Sequence, residues 1–487
     1  MKILKNAHLI FPQVASEASN RMSVLEHDGI ASHCSDVDDL GFELSMGLDI
    51  GTSCAKVVIA DESMGNYFPV NFYDNKVGID QYLLSTQIFL SHGTYSLEPS
   101  TQEDSIVFSN IKLTLMRLYG QELETHDEHA KELIKHYQNH LIAYIALLIR
   151  YCRAWLFTEN YDLYSDGTIF WRYVIGVPSD FSSETLLDVW KETLRVAVIV
   201  STQEGPVTDK LINRSRELEL DEDMQEIEAY PELVAEASAL KKNHPIAGSD
   251  NFYLVDVGSG TLDILYMNLS QNKDNFSLSY ATSCANVQPL GTYNCHLNRL
   301  NALENAFTDD QDCSRKQEFL DQIRQEKSKT FMAKLPDSFD DYFDGITFRE
   351  SVNPDPAFAE QIFNNLTHVR FECYRHSILS THEVNGSHIV LCGGGGRSAF
   401  YRDSLLAPEL AKQRFKNHSW LRQPDLREMS PITDLTFKHP IHEHDHDRLI
   451  VAYGLATCIM TEGTLMNSVP ERKNRSYEEN YISQDMM

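Results

Sequence analysis

The sequence predicts an α/β protein built from two lobes of similar topology that face one another, and three observations carry that prediction. The run "MGLDIGTSCAKVVIA" at 46–60 ends an apolar strand on Asp49, turns on Gly-Thr-Ser, and resumes apolar alternation. Far downstream, "FYLVDVGSGTLDILYMNLS" at 252–270 repeats the design with Asp256 and a Gly-Ser-Gly-Thr turn, and an internal echo of this kind implies two copies of one topology. Between them, "RYVIGVPSDFSSETLLDVWKETLRVAVIV" at 172–200 reads as a buried strand, a loop, and a helix opened by Ser182, Ser183 and Glu184.

Taken in order, residues 1–45 are rich in Ser, Asp and Glu without sustained periodicity and are expected to form a polar N-terminal extension. The first lobe is assigned to 46–245. Strands and turns fill it to about 115, and one long helix covers 121–157, running from the acidic "ELETHDEH" into apolar spacing. Its segment "LIAYIALLIRYCRAWLF" is interrupted by Arg150 and Arg153, whereas a bilayer span needs roughly 20 consecutive apolar residues, so a buried helix is expected. The acidic stretch "RELELDEDMQEIEAYPE" leads into the helix "LVAEASALKK", and "NHPIAGSDN" marks the lobe boundary.

The second lobe is assigned to 246–447. It opens on the repeated design, continues through helical, charge-laced sequence at 296–380, and includes a third glycine turn, "HIVLCGGGGRSAFYRDSLL", between a strand and a helix. A C-terminal helix at 448–470 is expected to return to the first lobe. The polar tail 471–487 is expected to be disordered.

Composition narrows the function. With 487 residues and 42% hydrophobic content the chain can bury more than one core. A net charge of −29 opposes phosphate backbones and anionic membranes, which excludes duplex nucleic acid as a partner. The N-terminus lacks a secretory pattern, and a cytoplasmic protein is expected. Nine cysteines are scattered singly without a C-x-x-C pair, so neither a disulfide framework nor a structural zinc site is predicted.

Glycine after a strand lets backbone approach a bulky ligand, and successive free N–H groups suit phosphate. An aspartate beside such a turn can hold the waters of a Mg²⁺ that bridges phosphate oxygens, or orient an attacking water. Each turn alone also fits a polar hairpin or a flexible loop. Their order in one chain favours a shared phosphate site.

Those turns resemble the phosphate-1, phosphate-2 and adenosine motifs of the actin-like ATPase superfamily, two ribonuclease-H-like lobes around a nucleotide cleft. Within it the chain is most similar to the nucleotide-binding domain of seventy-kilodalton heat-shock chaperones. "GLDIGTS" is similar to their "GIDLGTT", "LVDVGSGTLD" to "AVDLGGGTFD", "CGGGGRS" to "VGGSTRI", "VIGVPSDFSSET" to "VITVPAYFNDSQ" and "PELVAEASA" to "EPTAAALA". The resemblance implies Mg-dependent ATP binding and slow hydrolysis that drives a cleft-opening switch. By it, Asp49 and Asp256 organise Mg²⁺ through water, while Gly51, Thr52, Ser53, Gly258, Ser259, Gly260 and Thr261 surround the phosphates. Asp263 places the attacking water, and Lys112 stabilises charge on the γ-phosphate. Glu326 and Lys329 face the ribose, Gly394, Gly395 and Arg397 line the adenosine, and Pro178 and Glu232 couple nucleotide state to lobe movement.

The chain also departs from that pattern. Ser259 replaces a glycine and Thr330 an arginine, and only a short polar segment follows Met460, so no peptide-binding domain is expected. The resemblance then implies output through ATP/ADP state to a protein partner or co-chaperone. A filament-forming ATPase and a small-molecule kinase are the alternatives within the superfamily. The run "KHPIHEHDHDR", with His439, His442, His444 and His446, could share one face if extended and bind a transition metal, but a solvated loop is the expectation. Cys54 is expected as a small apolar core residue.

Overall fold

Met46, Leu48 and Ile50 on one strand and Ala55, Val57, Val58 and Ile59 on the next are all buried, as suits a hairpin lying inside a sheet rather than at its edge. A computed structural model describes residues 8–11, 29–30, 41–99, 105–125, 128–164, 168–178, 184–220, 225–243, 249–271, 278–309, 315–329, 335–407, 410 and 421–457. The hairpin pairs Gly41–Ile50 (β1) with Cys54–Asp61 (β2), and Asn66–Pro69 (β3) adds antiparallel to β2. On the other side Thr168–Val177 (β4) lies parallel to β1, and Gln225–Pro231 (β5) parallel to β4. The order is therefore β5-β4-β1-β2-β3.

A second sheet repeats that plan. Ser249–Val257 (β6), Leu262–Gln271 (β7) and Leu278–Gln288 (β8) run antiparallel in succession, while His388–Cys392 (β9) is parallel to β6 and Leu426–Glu428 (β10) parallel to β9. Its order, β8-β7-β6-β9-β10, matches the first sheet strand for strand. The chain is thus a mixed α/β protein with two sheets of like connectivity.

The helices form the layers around these sheets. Ile111–Thr125 (α1), Glu128–Glu159 (α2) and Glu184–Thr202 (α3) precede the second sheet, and the long helix α2 packs with α3 on the outer face of the first. Glu232–Asn243 (α4) and the last described helix lie between the sheets, in a core that joins Val58 and Val174 to Leu254 and Met267. Thr292–Asp309 (α5), Lys316–Ser328 (α6), Asp355–Arg375 (α7) and Ala399–Leu406 (α8) follow, with α7 and α8 on the far face of the second sheet. The final helix, Ile450–Thr457 (α9), packs on α4, β1 and β2, next to the first sheet; residues 458–487 lie outside the described residues.

Lys131–Glu159 is long and apolar enough to cross a membrane, but 89% of its most apolar window is packed inside the protein. Its two interrupting arginines have structural work. Arg150 donates to the carbonyls of Val200, Ser201 and Gln203, and Arg153 to that of Ser201, so both satisfy acceptors left open at the end of α3.

Several expectations need correction. The helix expected at 121–157 is two helices, and helical structure begins at Ile111 because Asn110 adopts φ 52°, a left-handed conformation that ends the strand Ile106–Ser109. "ELET" accordingly closes α1 instead of opening α2. The acidic stretch before α4 contains strand β5, an edge strand whose Glu228 pairs with Arg172. The 1–45 extension is not wholly separate: residues 41–45 begin β1, and His8–Leu9 pairs antiparallel with Phe343–Asp344. Ser182 and Ser183 lie outside the described residues, as do Thr330 and Met460.

Candidate functional site

The β1–β2 and β6–β7 turns, at equivalent strand ends, and the glycine turn after β9 converge on one cavity of about 370 Å³, a volume that suits a small-molecule ligand. Its wall includes Asp49, Gly51, Thr52 and Ser53 from the first turn, and Asp256, Gly258, Ser259, Gly260 and Thr261 from the second. Gly394, Gly395 and Arg397 come from the third, Lys112 from the start of α1, Pro178 from the end of β4, and Glu232 from the first turn of α4. The sequence therefore brings fifteen of its eighteen named residues to one place.

The remaining three stand elsewhere. Asp263 is buried behind the second turn, within reach of the Thr261 hydroxyl but off the wall. Glu326, near the end of α6, pairs with Lys329 at 2.6 Å and lies 3.7 Å from His296; neither Glu326 nor Lys329 lines the cavity. Arg397 lines it, yet its guanidinium is held by Asp445 and Asp447 and by the His444 carbonyl at 2.7 Å. Those partners belong to the histidine-rich run, which is a 3₁₀ helix at Glu443–Leu449 and not an extended strand. The premise for a shared histidine face is gone, and His446 is buried with Nδ1 at 2.8 Å from the Ile432 carbonyl.

The first two turns touch directly. Ser53 Oγ and Ser259 Oγ are 2.5 Å apart, so the serine that departs from the chaperone pattern ties one turn to the other. A Cβ on Gly260 would stand 2.8 Å from Thr52 Oγ1, and only glycine permits that approach. Asn294, at the start of α5, donates to the Gly260 carbonyl at 2.6 Å and fixes the second turn from behind. The amides of Thr52, Ser53, Ser259 and Gly260 find no acceptor among the described residues. They form the kind of N–H-lined concavity that fits a phosphate group.

Electrostatics separate the acids. Lys56 stands directly across the hairpin from Asp49 and contacts it at 2.6 Å. Burial opposes the Lys56 charge, but Asp49 and then Cys54 outweigh it and hold the ammonium above its ordinary range. Lys112 pairs with Glu232. No ion-pair partner stands beside Asp256, Glu236 or Asp263 among the described residues. Burial raises the Asp256 carboxyl to about 7, against the pull of Lys56 and with help from Glu232 and Asp49. Burial, then Asp256 and Asp263, push Glu236 well above the usual carboxylate range; burial, then Asp256 and Glu232, do the same to Asp263.

No protein-family model and no curated protein matches this chain.

Sequence reasoning missed five participants. Lys56 was legible, because a hairpin turning on Gly-Thr-Ser places it opposite Asp49. Glu236 follows Glu232 by one helical turn on α4 and is an acid set in an alanine-rich face. Arg448 lies against Gly394 and 3.8 Å from Cys54. Gly393, at φ 77°, and Asn294 carried no signal beyond residue type.

Proposed function

We propose that this chain is a two-lobed, actin-like ATPase that binds Mg-ATP between its sheets and hydrolyses it slowly, with cleft opening and closing as the output. The observation that carries this proposal is the meeting of two equivalent turns, one from each of two like-ordered sheets, at the Ser53–Ser259 contact over a single cavity. The free amides beside both serines support phosphate binding there.

Bound Mg²⁺ would supply charge neutralisation on the phosphates, and Asp49 and Asp256 would be the carboxylates that hold its waters. Thr52, Ser53 and Thr261 offer hydroxyls to phosphate oxygens. Lys112, buried and held by Glu232, offers a positive charge to the terminal phosphate. Asp263, behind Thr261, positions that hydroxyl. Pro178 and Glu232 join β4 and α4 to the same wall, a route by which ligand state could move the sheets relative to each other. The phosphate end is better supported than the nucleoside end, where Arg397 is already engaged and neither Glu326 nor Lys329 lines the cavity.

Inorganic-phosphate release from Mg-ATP by the purified protein and by Asp256→Ala tests this directly. Slow release that falls about tenfold or more in the variant is the expected result. Equal release by both proteins would sink the proposal.

A further inference from the structure

Glu236, Asp256 and Cys392 meet beneath the cavity, where each presents a ligand atom within 4.8 Å of the other two. They come from three separate elements, α4, β6 and the end of β9, so no local spacing in the sequence announces the group. We propose that these three side chains form a binding site for a thiophilic divalent cation of the zinc class, which shares Asp256 with the proposed magnesium site but takes Glu236 and Cys392 in place of Asp49 and does not require nucleotide.

Three observations support it. Glu236 is 1% exposed and lines the cavity, and its Oε2 has no hydrogen-bond partner among the described residues. A buried, unpartnered carboxylate oxygen is costly, and a bound cation removes that cost. The distances are also suitable. Zinc bonds of about 2.3 Å to sulfur and about 2.1 Å to oxygen, at a tetrahedral angle, set sulfur and oxygen about 3.6 Å apart. Glu236 Oε1 and Cys392 Sγ are 3.7 Å apart. The remaining separations are no more than 4.8 Å, within the swing of a partly exposed carboxylate such as Asp256.

Charge supplies the third. The lysines on this wall are already paired, Lys56 with Asp49 and Lys112 with Glu232, so neither ammonium is bound to Asp256 or Glu236 in the place a cation would take. The thiol decides which cation. Sulfur disfavours magnesium and calcium and favours zinc and its neighbours, while two carboxylates and an open fourth position toward the cavity leave room for water. Binding displaces the Cys392 proton as the sulfur becomes a thiolate ligand, together with the protons held by the Glu236 and Asp256 carboxyls, and all of them leave to solvent.

Cobalt is the probe, titrated into the full-length protein without nucleotide and followed by thiolate-to-cobalt charge-transfer absorption. The expected result is a single site whose band is abolished by one equivalent of zinc, survives excess magnesium, and appears with release of protons. The band is lost in Cys392→Ser and persists in Cys54→Ser, the other cavity-side thiol. Glu236→Gln, which keeps shape and thiol, weakens cobalt binding about tenfold or more while leaving near-native circular dichroism. Absence of a band in the folded wild type, its persistence in Cys392→Ser, its dependence on Cys54, or unchanged affinity in Glu236→Gln would each overturn the proposal. Phosphate release plays no part in the readout, so failure here and failure of the ATPase proposal remain distinct.

Discussion

The turn after β1 and the turn after β6 hold the same position in two like-ordered sheets, yet they treat their aspartates in opposite ways. Asp49 is matched across the hairpin by Lys56 at 2.6 Å, and its side chain is 5% exposed. Asp256 has Asp263 as its cross-strand partner, an acid opposite an acid, and Glu236 approaches from α4. One turn holds a compensated ion pair and the other a cluster of carboxyls with no basic partner among the described residues. Equivalent topology therefore fixes where a carboxylate stands, while the residue one strand away decides whether it is met by a cation.

The largest expected effect comes from breaking the compensated side. Lys56→Met strands a buried Asp49 and should cost about 3–5 kcal/mol in urea unfolding. The double variant with Asp49→Asn should regain much of it; an additive double variant would show that the pair is not coupled. Gly393→Ala acts on the other side. At φ 77° and ψ 158° only glycine is comfortable, and a Cβ there would meet Asp256 Oδ1 at 1.9 Å, so a loss of about 2–3 kcal/mol is expected by the same measurement.

The charge state of Asp256 can be read from pH. Its carboxyl moves from an ordinary 3.8 to about 7 on folding, so between those values the folded chain keeps a proton that the unfolded chain has released. That contribution to stability is full below about pH 4 and is lost as pH rises to 7, by up to about 1.4 kcal/mol per unit. Asp256→Asn should remove this limb, so the stability of wild type minus variant should fall from pH 4 to 7; a flat difference would mean that the carboxyl titrates normally. His140 and His296, both lowered to about 4 chiefly by burial, act in the opposite direction but are common to both proteins and cancel in that difference. The smallest effect belongs to the tie between the turns. Ser53→Ala should cost about 1 kcal/mol for its hydrogen bond to Ser259.

Much of this was legible. The strand-turn-strand repeats, the β-loop-α unit and the third glycine turn could be read because each is a local pattern whose apolar period and punctuation fall within one window. Strand β5 escaped because an edge strand with Glu226 and Glu228 lacks a continuous apolar run. The break between α1 and α2 escaped for a different reason: the acids of 122–128 fit the end of one helix and the start of another equally well. At the site, residues carried on the turns were found, but Glu236 and Cys392 become neighbours only through the pairing of β6 with β9 and the placement of α4 between the sheets. Arg397 shows the converse. Its position was legible, but its attachment to Asp445 and Asp447 depends on a segment that local pattern describes as a solvated loop.

Lys56 has one more consequence. Its ammonium sits on Asp49 like a tethered counter-ion, already inside the cavity and already neutralising the carboxylate nearest the first turn. A cation arriving at Asp49 must therefore displace a resident charge that cannot diffuse away. Binding there becomes an exchange between a mobile ion and a fixed one, and the freed ammonium remains at hand to grip whatever anion accompanies the newcomer.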